Sequence, residues 1–98
     1  MRKAAAHKRG DDVAVAVVDL SPGEEVEVAV LEGGEPLRIQ VAEPIPLGHK
    51  LALRPIGEGE VVREYGEPIG RSLRPIPAGA HVHTHNLRSL RWDFGGGR

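Results

Sequence analysis

Residues 26–41, VEVAVLEGGEPLRIQV, contain two alternating segments on either side of a glycine pair. Apolar residues recur at every second position before and after Gly33-Gly34, which is the period of a strand with one buried face. A Gly-Gly pair between two such segments is typical of a tight hairpin turn. The stretch therefore predicts two antiparallel strands. No window of the chain has the i, i+3, i+4, i+7 apolar spacing of an amphipathic helix.

Further extended segments flank this hairpin. Residues 13–18 are consecutively apolar and lie between polar and turn-forming residues, so they predict a strand that is buried on both faces. Shorter strands, each introduced by proline or glycine, are predicted at residues 50–53, 61–63, 69–73 and 80–84. Residues 1–9 are predicted to form at most a frayed helical turn.

One turn pattern occurs four times along the chain. An apolar residue is followed three positions later by glycine, and three positions after that by another apolar residue. The copies are residues 20–26 (LSPGEEV), 45–51 (IPLGHKL), 56–62 (IGEGEVV) and 76–82 (IPAGAHV). Glycine accepts backbone angles that other residues avoid, and proline presets the first corner of a turn. The pattern predicts a compact, loop-rich β domain in which both ends of each turn are anchored in the core.

Length and composition limit the class of protein. The chain has 98 residues with 13 glycines, 8 prolines and no cysteine. It is therefore one small domain without a disulfide framework, a thiolate metal site or a cysteine nucleophile. No apolar run approaches the roughly 18–20 residues that span a bilayer, and the N-terminus lacks the apolar core of a signal peptide. We expect no membrane partner and a cytoplasmic location.

The formal net charge of −1 is unevenly distributed. Residues 1–10 carry only basic charges, whereas residues 11–86 contain more acidic than basic side chains. A nucleic-acid surface needs clustered Lys and Arg, so we expect no nucleic-acid partner. We interpret residues 1–11 as a basic N-terminal tail, residues 12–92 as the folded domain and residues 93–98 as a flexible C-terminal tail.

Three motifs occur in a specific order: Gly48-His49-Lys50, then YGEPIG at residues 65–70, then IPAGAHVHTHN at residues 76–86. Together they resemble the SAF domain of the altronate and galactarate dehydratase family, over about residues 12–92. The resemblance implies an all-β, compact β-clip fold with short strands and Gly/Pro turns.

The resemblance also implies a function. It indicates the small subunit of a two-subunit lyase that dehydrates a sugar acid, such as altronate or galactarate, to a 2-keto-3-deoxy acid. Its partner would be a larger catalytic subunit, and the small chain would not be active alone. The chain is similar as well to the small subunit of a sulfolactate sulfo-lyase, for which sulfite is the leaving group. A third hypothesis is a non-catalytic β-clip module that binds a sugar acid or a metal ion.

The histidines of the last motif are the main candidates for chemistry. On an extended strand, His81, His83 and His85 point to one face, and two of them can converge on one ion. Neutral imidazole binds divalent transition metals, and its pKa lies near working pH. We therefore consider all three as metal ligands, and His83 and His85, together with His49, as catalytic residues. The alternative is an exposed edge strand whose imidazoles bond only to backbone and water.

Other residues are candidates for contacts with substrate or partner. A carboxylate substrate would give Lys50 the role of a cationic clamp, and the resemblance places Asn86 beside the histidines. Tyr65 can donate its hydroxyl proton, or it can plug the edge of the core. Trp92 and Phe94 either anchor a larger partner or cover the domain's own core. We expect a divalent metal (iron, manganese or zinc) as cofactor, held by this chain or mainly by the partner subunit.

Overall fold

The computed structural model of the protein describes residues 2–90. The predictions for Trp92, Phe94 and the tail at residues 93–98 concern residues outside the described part. The elements of the described part are nine strands: β1 (Ala4–Ala6), β2 (Val13–Ala16), β3 (Glu25–Val30), β4 (Leu37–Gln40), β5 (Lys50–Ala52), β6 (Val61–Glu64), β7 (Glu67–Ser72), β8 (His81–Val82) and β9 (Leu87–Ser89). Nowhere in residues 2–90 is there a helix with the length and apolar character needed to cross a membrane.

The strands form two sheets. Six strands pair in the order β4-β3-β1-β2-β5-β8, and three pair in the order β6-β7-β9. All neighbours are antiparallel except β1 and β3, which run parallel. The predicted β3–β4 hairpin is confirmed, with Glu25 opposite Gln40 and Val28 opposite Leu37. The expected compact all-β fold with short strands is also confirmed.

The N-terminal residues differ from the predicted tail. Ala4–Ala6 form β1 in the interior of the larger sheet, where they pair with β2 on one side and β3 on the other. Ala4 and Ala6 are each only 1% exposed. Alanine has low intrinsic β-propensity, but packing between two strands outweighs that preference. The domain therefore begins well before residue 12, and the predicted frayed helical turn is wrong.

The four glycine turns are confirmed, and backbone bridges join them in two pairs. Leu20 bridges Ile45, and Ile56 bridges Ile76. Each bridge has two reciprocal N–H···O=C bonds, with distances of 2.8 and 3.0 Å in the first and 2.8 Å for both bonds in the second. The turn glycines all have φ between +81° and +90°: Gly23, Gly48, Gly59 and Gly79. The apolar residues at both ends of the turns are buried, as predicted: Leu20, Val26, Ile45, Leu51, Ile56, Val62, Ile76 and Val82.

Two hydrophobic clusters lie on opposite faces of β2 and β5. Ala14 and Leu51 belong to one cluster, whereas Val13 and Ala52 belong to the other. Side chains alternate across a strand, so these two strands supply both cores. This confirms two buried faces for Val13, Ala14 and Ala16, whereas Val15 is half-buried. The strand is shorter than predicted, since it ends at Ala16, and Val17 is 45% exposed.

Two buried carboxylates connect the loop after β1 to the smaller sheet. Asp11 accepts backbone N–H bonds from Lys8, Tyr65 and Gly66 at 3.1, 2.8 and 3.0 Å. Asp12 accepts hydrogen bonds from Arg54 Nε and from the Arg63 backbone N–H, both at 2.7 Å. The backbone donors Arg63, Tyr65 and Gly66 belong to the β6–β7 hairpin. Because charged carboxylates accept their N–H groups, these bonds hold the hairpin against the larger sheet.

The variant Gly79→Ala tests how closely the backbone at Gly79 packs against the backbone at Gln40. A Cβ at residue 79 would lie 2.0 Å from the carbonyl oxygen of Gln40, whereas a Cβ at residue 23 would meet no atom within 4 Å. Both glycines have positive φ, so Gly23→Ala is the matched control for strain alone. We expect Gly23→Ala to lower the free energy of unfolding by about 1–2 kcal/mol. Gly79→Ala should lower it by about 2–5 kcal/mol. Equal losses in urea denaturation would contradict the close approach.

The variant Asp11→Asn tests whether the negative charge of Asp11 stabilises the fold. Burial raises the pKa of Asp11, but the N–H bonds from Tyr65, Gly66 and Lys8 outweigh burial and bring the pKa below its ordinary value. The stabilisation is therefore complete above the unfolded pKa of about 3.9 and is lost as the pH falls through the lower folded pKa. We expect Asp11→Asn to cost about 1.5–3 kcal/mol at pH 7 and progressively less as the pH falls below about 3.9.

The measurement is urea denaturation of both proteins across this pH range. Glu58→Gln, at an exposed position, serves as the control and should change stability little at any pH. A cost of Asp11→Asn that stays constant from pH 7 to pH 2 would show that the charge of Asp11 is not what stabilises the hairpin.

Candidate functional site

Three imidazoles from two distant segments meet at the β5–β8 edge of the larger sheet. His49 ends the turn before β5, His81 begins β8, and His83 follows β8. The β5–β8 register sets Leu51 opposite His81, and strand alternation then places His49 and His81 on the same face. His49 Nδ1 lies 2.8 Å from His81 Nε2. We refer to His49, His81 and His83 as the histidine cluster.

The geometry of the histidine cluster is suited to a metal ion. One ring nitrogen from each residue can be chosen so that all three lie within 4.8 Å of one another. The ring centroids of His49 and His83 are 4.5 Å apart, and those of His81 and His83 are 5.5 Å apart. His49 and His81 are half-buried, whereas His83 is exposed. The cluster therefore offers three nitrogen donors with one side open to solvent, as a catalytic metal site requires.

A turn rather than a strand positions His83. The predicted strand at residues 80–84 is shorter than expected, because β8 ends at Val82. Asn86 is buried, and its Oδ1 accepts the His83 backbone N–H at 2.9 Å while its Nδ2 donates to the His81 carbonyl at 2.8 Å. Asparagine commonly bonds to nearby backbone in this way and stabilises turns. Asn86 therefore positions the cluster, and its predicted contact with substrate stays a prediction.

Glu43 completes this edge and was missed by sequence reasoning. Its Oε2 accepts the His81 backbone N–H at 3.0 Å. Together with Asn86 it caps the outer edge of β8 with side chains, where another strand would otherwise pair. No sequence spacing links residue 43 to residue 81, so only the folded chain reveals the contact. The turn-forming tendency of asparagine, in contrast, could have indicated the role of Asn86.

The electrostatics of the histidine cluster favour a neutral imidazole at its centre. Burial lowers the pKa of His81, and the neighbouring His49, His85 and His83 lower it further through charge repulsion. The carboxylate of Glu43 acts in the opposite direction but does not reverse the shift. His81 is therefore predominantly neutral at pH 7. One proton lies between His49 Nδ1 and His81 Nε2 in their hydrogen bond, and a metal ion that binds both nitrogens would release it.

His85 lies beside the histidine cluster. Its ring centroid is 5.3 Å from that of His81, and its side chain is exposed. The predicted ligand set of His81, His83 and His85 therefore differs from the closest set in the structure, in which His49 takes the place of His85. The roles predicted for His85 in catalysis and metal binding stay predictions.

Lys50 and Tyr65 lie apart from the imidazoles. Lys50 pairs with Val82 across the sheet, so its side chain lies on the opposite face of β5 from His81. There its Nζ is 3.7 Å from a carboxylate oxygen of Glu64. Tyr65 is 60% exposed, and its ring stacks on His7 with 4.6 Å between centroids. The structure thus does not bring these two predicted substrate contacts together with the histidine cluster.

Comparison with known proteins gives a consistent family. The family described as the altronate/galactarate dehydratase SAF domain matches residues 2–90. The (2R)-sulfolactate sulfo-lyase subunit alpha of Chromohalobacter salexigens is 39% identical over 87 residues, which are 88% of this chain and 93% of that protein. The altronate dehydratase of Escherichia coli is 43% identical over 84 residues, which are 86% of this chain and 16% of that protein.

The altronate dehydratase of Bacillus subtilis is similar as well, with 35% identity over 88 residues, or 90% of this chain. Only 16% of that protein is covered. The chain therefore spans nearly all of the sulfo-lyase subunit but only a small part of either altronate dehydratase.

Metal titration tests which histidines act together. We expect the protein to bind one Zn²⁺ or Co²⁺ at pH 7.5 and to lose this binding below about pH 5, where imidazoles are protonated. His49→Ala and His83→Ala should each weaken binding by about 100-fold, and His85→Ala by much less. His7→Ala, outside the histidine cluster, is the control. A loss in His85→Ala with no loss in His49→Ala would instead support the set predicted from sequence.

Proposed function

Because this chain belongs to the altronate/galactarate dehydratase SAF-domain family, we propose that it is the small subunit of a lyase that removes water from a sugar acid. The observation that carries the proposal is the histidine cluster, which unites the Gly48-His49-Lys50 motif with the histidine-rich motif at residues 76–86. The cluster can act in acid–base or metal chemistry, and one of its rings is open to a substrate. The larger chain of the enzyme would supply the rest of the site.

The assignment to a two-chain enzyme is supported by the coverage of the relatives. A relative of nearly the same length is named as one subunit of a sulfo-lyase. The altronate dehydratases contain the similar segment within a much longer polypeptide. In both arrangements a larger amount of protein accompanies this domain. We therefore assign this chain a larger catalytic subunit as its partner.

Dehydration of a polyhydroxy acid breaks the C2–H and C3–O bonds. A base takes the C2 proton, negative charge develops on the carboxylate, and an acid protonates the departing hydroxyl so that water leaves. The resulting enol tautomerises to a 2-keto-3-deoxy acid. We assign the proton transfers to His83, with His49 and His85 as the other catalytic candidates. His83 is exposed and therefore accessible to a bound acid.

As an alternative to proton transfer by His83, the residues of the histidine cluster fit a divalent metal ion of the iron, manganese or zinc type. His49, His81 and His83 would hold it, because their nitrogens converge and His81 is predominantly neutral. When bound, such an ion supplies positive charge that stabilises the negative charge developing on the substrate. Glu43 and Asn86 hold the backbone of His81 and His83, and thereby keep the donors in place.

A second candidate reaction is the release of sulfite from sulfolactate. It is favoured by the similarity over 93% of a sulfo-lyase subunit. Both reactions begin with removal of a proton next to a carboxylate, so the same cluster would serve either one. The leaving group separates the two candidates.

Isolation of the tagged chain from its native cell tests the proposal. We expect a larger chain in a stoichiometric complex that forms a 2-keto-3-deoxy acid from altronate or galactarate, or sulfite from (2R)-sulfolactate. His49→Ala and His83→Ala should lower kcat by about 100-fold or more without preventing assembly, because proton transfer contributes factors of this size. Thr84→Ala, in the same turn as His83, is the control and should retain kcat.

Two outcomes would contradict the proposal. If both histidine variants keep kcat within a few-fold of the parent, the histidine cluster is not part of the active site. If the chain elutes alone and inert yet still binds Zn²⁺ or a sugar acid, it is a non-catalytic binding module.

A further inference from the structure

The tip of the β6–β7 hairpin has an unusual residue in a strained position. Glu64 and Glu67 pair, so Tyr65 and Gly66 form a two-residue loop, with φ of 60° and 73°. Two positive φ values define a type I′ turn, whose first position strongly favours Asn, Asp or Gly. A bulky aromatic residue is strained there. Tyr65 is the one non-glycine residue with positive φ in the described part of the chain.

The side chain of Tyr65 does not offset this strain by burial. The residue is 60% exposed. Its ring stacks on His7, with planes inclined by 28°, and Lys8 Nζ lies 5.9 Å from the ring centroid. Such exposed ring contacts are weak. A strained and exposed tyrosine does not make the domain more stable. A contact with another molecule therefore explains its presence better.

This tip carries one exposed ammonium group, that of Lys8, and one exposed carboxylate, that of Glu67, while Glu64 lies 3.7 Å from Lys50 Nζ. Within residues 2–90, no carboxylate lies at ion-pair distance from Lys8 Nζ. The nearby carboxylate of Asp11 is buried and already accepts three backbone N–H bonds, from Lys8, Tyr65 and Gly66. The tip therefore combines the exposed ring of Tyr65 with the half-buried imidazole of His7 and the exposed ammonium group of Lys8.

We infer that His7, Lys8 and Tyr65 form a docking surface for an acidic segment of the larger chain. This inference rests on the proposed two-chain enzyme and adds where the chains meet. Tyrosine is enriched among the residues that dominate binding at protein interfaces. A small-molecule site would instead enclose most of its ligand, whereas this ring is largely exposed. An acidic side chain of the partner would pair with Lys8 beside the ring.

This docking surface is separate from the histidine cluster. Asp11 holds the loop at Tyr65, whereas Ala16 donates its N–H to the His49 carbonyl. Asp11 and Ala16 are five positions apart along largely extended chain, which corresponds to about 16 Å. An acidic segment docked at the hairpin tip would therefore not itself cover the imidazoles.

The first test measures the thermal stability of the chain alone. Asn fits a type I′ turn better than Tyr, so Tyr65→Asn should raise Tm by about 4 °C, and Tyr65→Phe should leave it unchanged. A fall in Tm of Tyr65→Asn would show that the ring stabilises the fold, and would overturn the inference.

The second test measures assembly with the larger chain purified from the native complex. Tyr65→Asn and Lys8→Glu should each raise Kd by about tenfold or more, and added salt should weaken binding of the parent more than that of Lys8→Glu. Leu31→Asn is the matched control, because Leu31 is exposed to 61% on another turn. An unchanged Kd in both variants would overturn the docking surface.

These outcomes are distinct from failure of the proposed function. If the Tyr65 and Lys8 variants assemble normally and the His83→Ala complex is inactive, the docking surface is wrong and the proposed lyase function still holds. A kcat loss in Tyr65→Asn that persists when the complex is saturated would assign the ring to the substrate instead. Absence of any larger chain would overturn the docking surface while Zn²⁺ binding still reported on the histidine cluster.

Discussion

The reciprocal backbone bridges between glycine turns are the constraint on which the rest of the fold depends. Leu20 with Ile45, and Ile56 with Ile76, each exchange two backbone hydrogen bonds. Each bridge fixes two turns at once, because the turn glycine allows the chain to reverse while the flanking apolar residues enter a core. The turns before β5 and β8 each belong to one bridge, and these two strands then pair with each other. His49 and His81 meet for this reason, although 32 residues separate them.

Side-chain capping of β8 determines the shape of the candidate site. A longer β8 would carry its histidines along a flat edge with side chains about 7 Å apart on one face. Asn86 and Glu43 instead satisfy the outer backbone groups of His81 and His83. The chain can therefore turn after Val82, which brings the ring of His83 next to that of His49. The same caps close the strand edge against pairing with other chains.

Features that depend on local sequence were predictable, whereas those that depend on the closed sheet were not. The β3–β4 hairpin follows from period-2 alternation around a glycine pair, and the four turns follow from glycine spacing. Strand β1 was missed because three alanines carry no periodic signal and only their neighbours make them a strand. The histidine-rich motif was recognisable, but the partner of its first histidine is His49, and sheet pairing alone reveals that contact.

In the proposed two-chain enzyme, the exposure of the histidine cluster would explain the need for a larger chain. Imidazole beside open water acts in a high dielectric, where charges developing on a substrate are stabilised only weakly by nearby groups. Covering such a site excludes water and strengthens each interaction within it. His83 is exposed, and no neighbouring segment in residues 2–90 covers it. The chain thus places three nitrogen donors together at this edge, and in the proposed enzyme a second protein surface over the edge would enclose them.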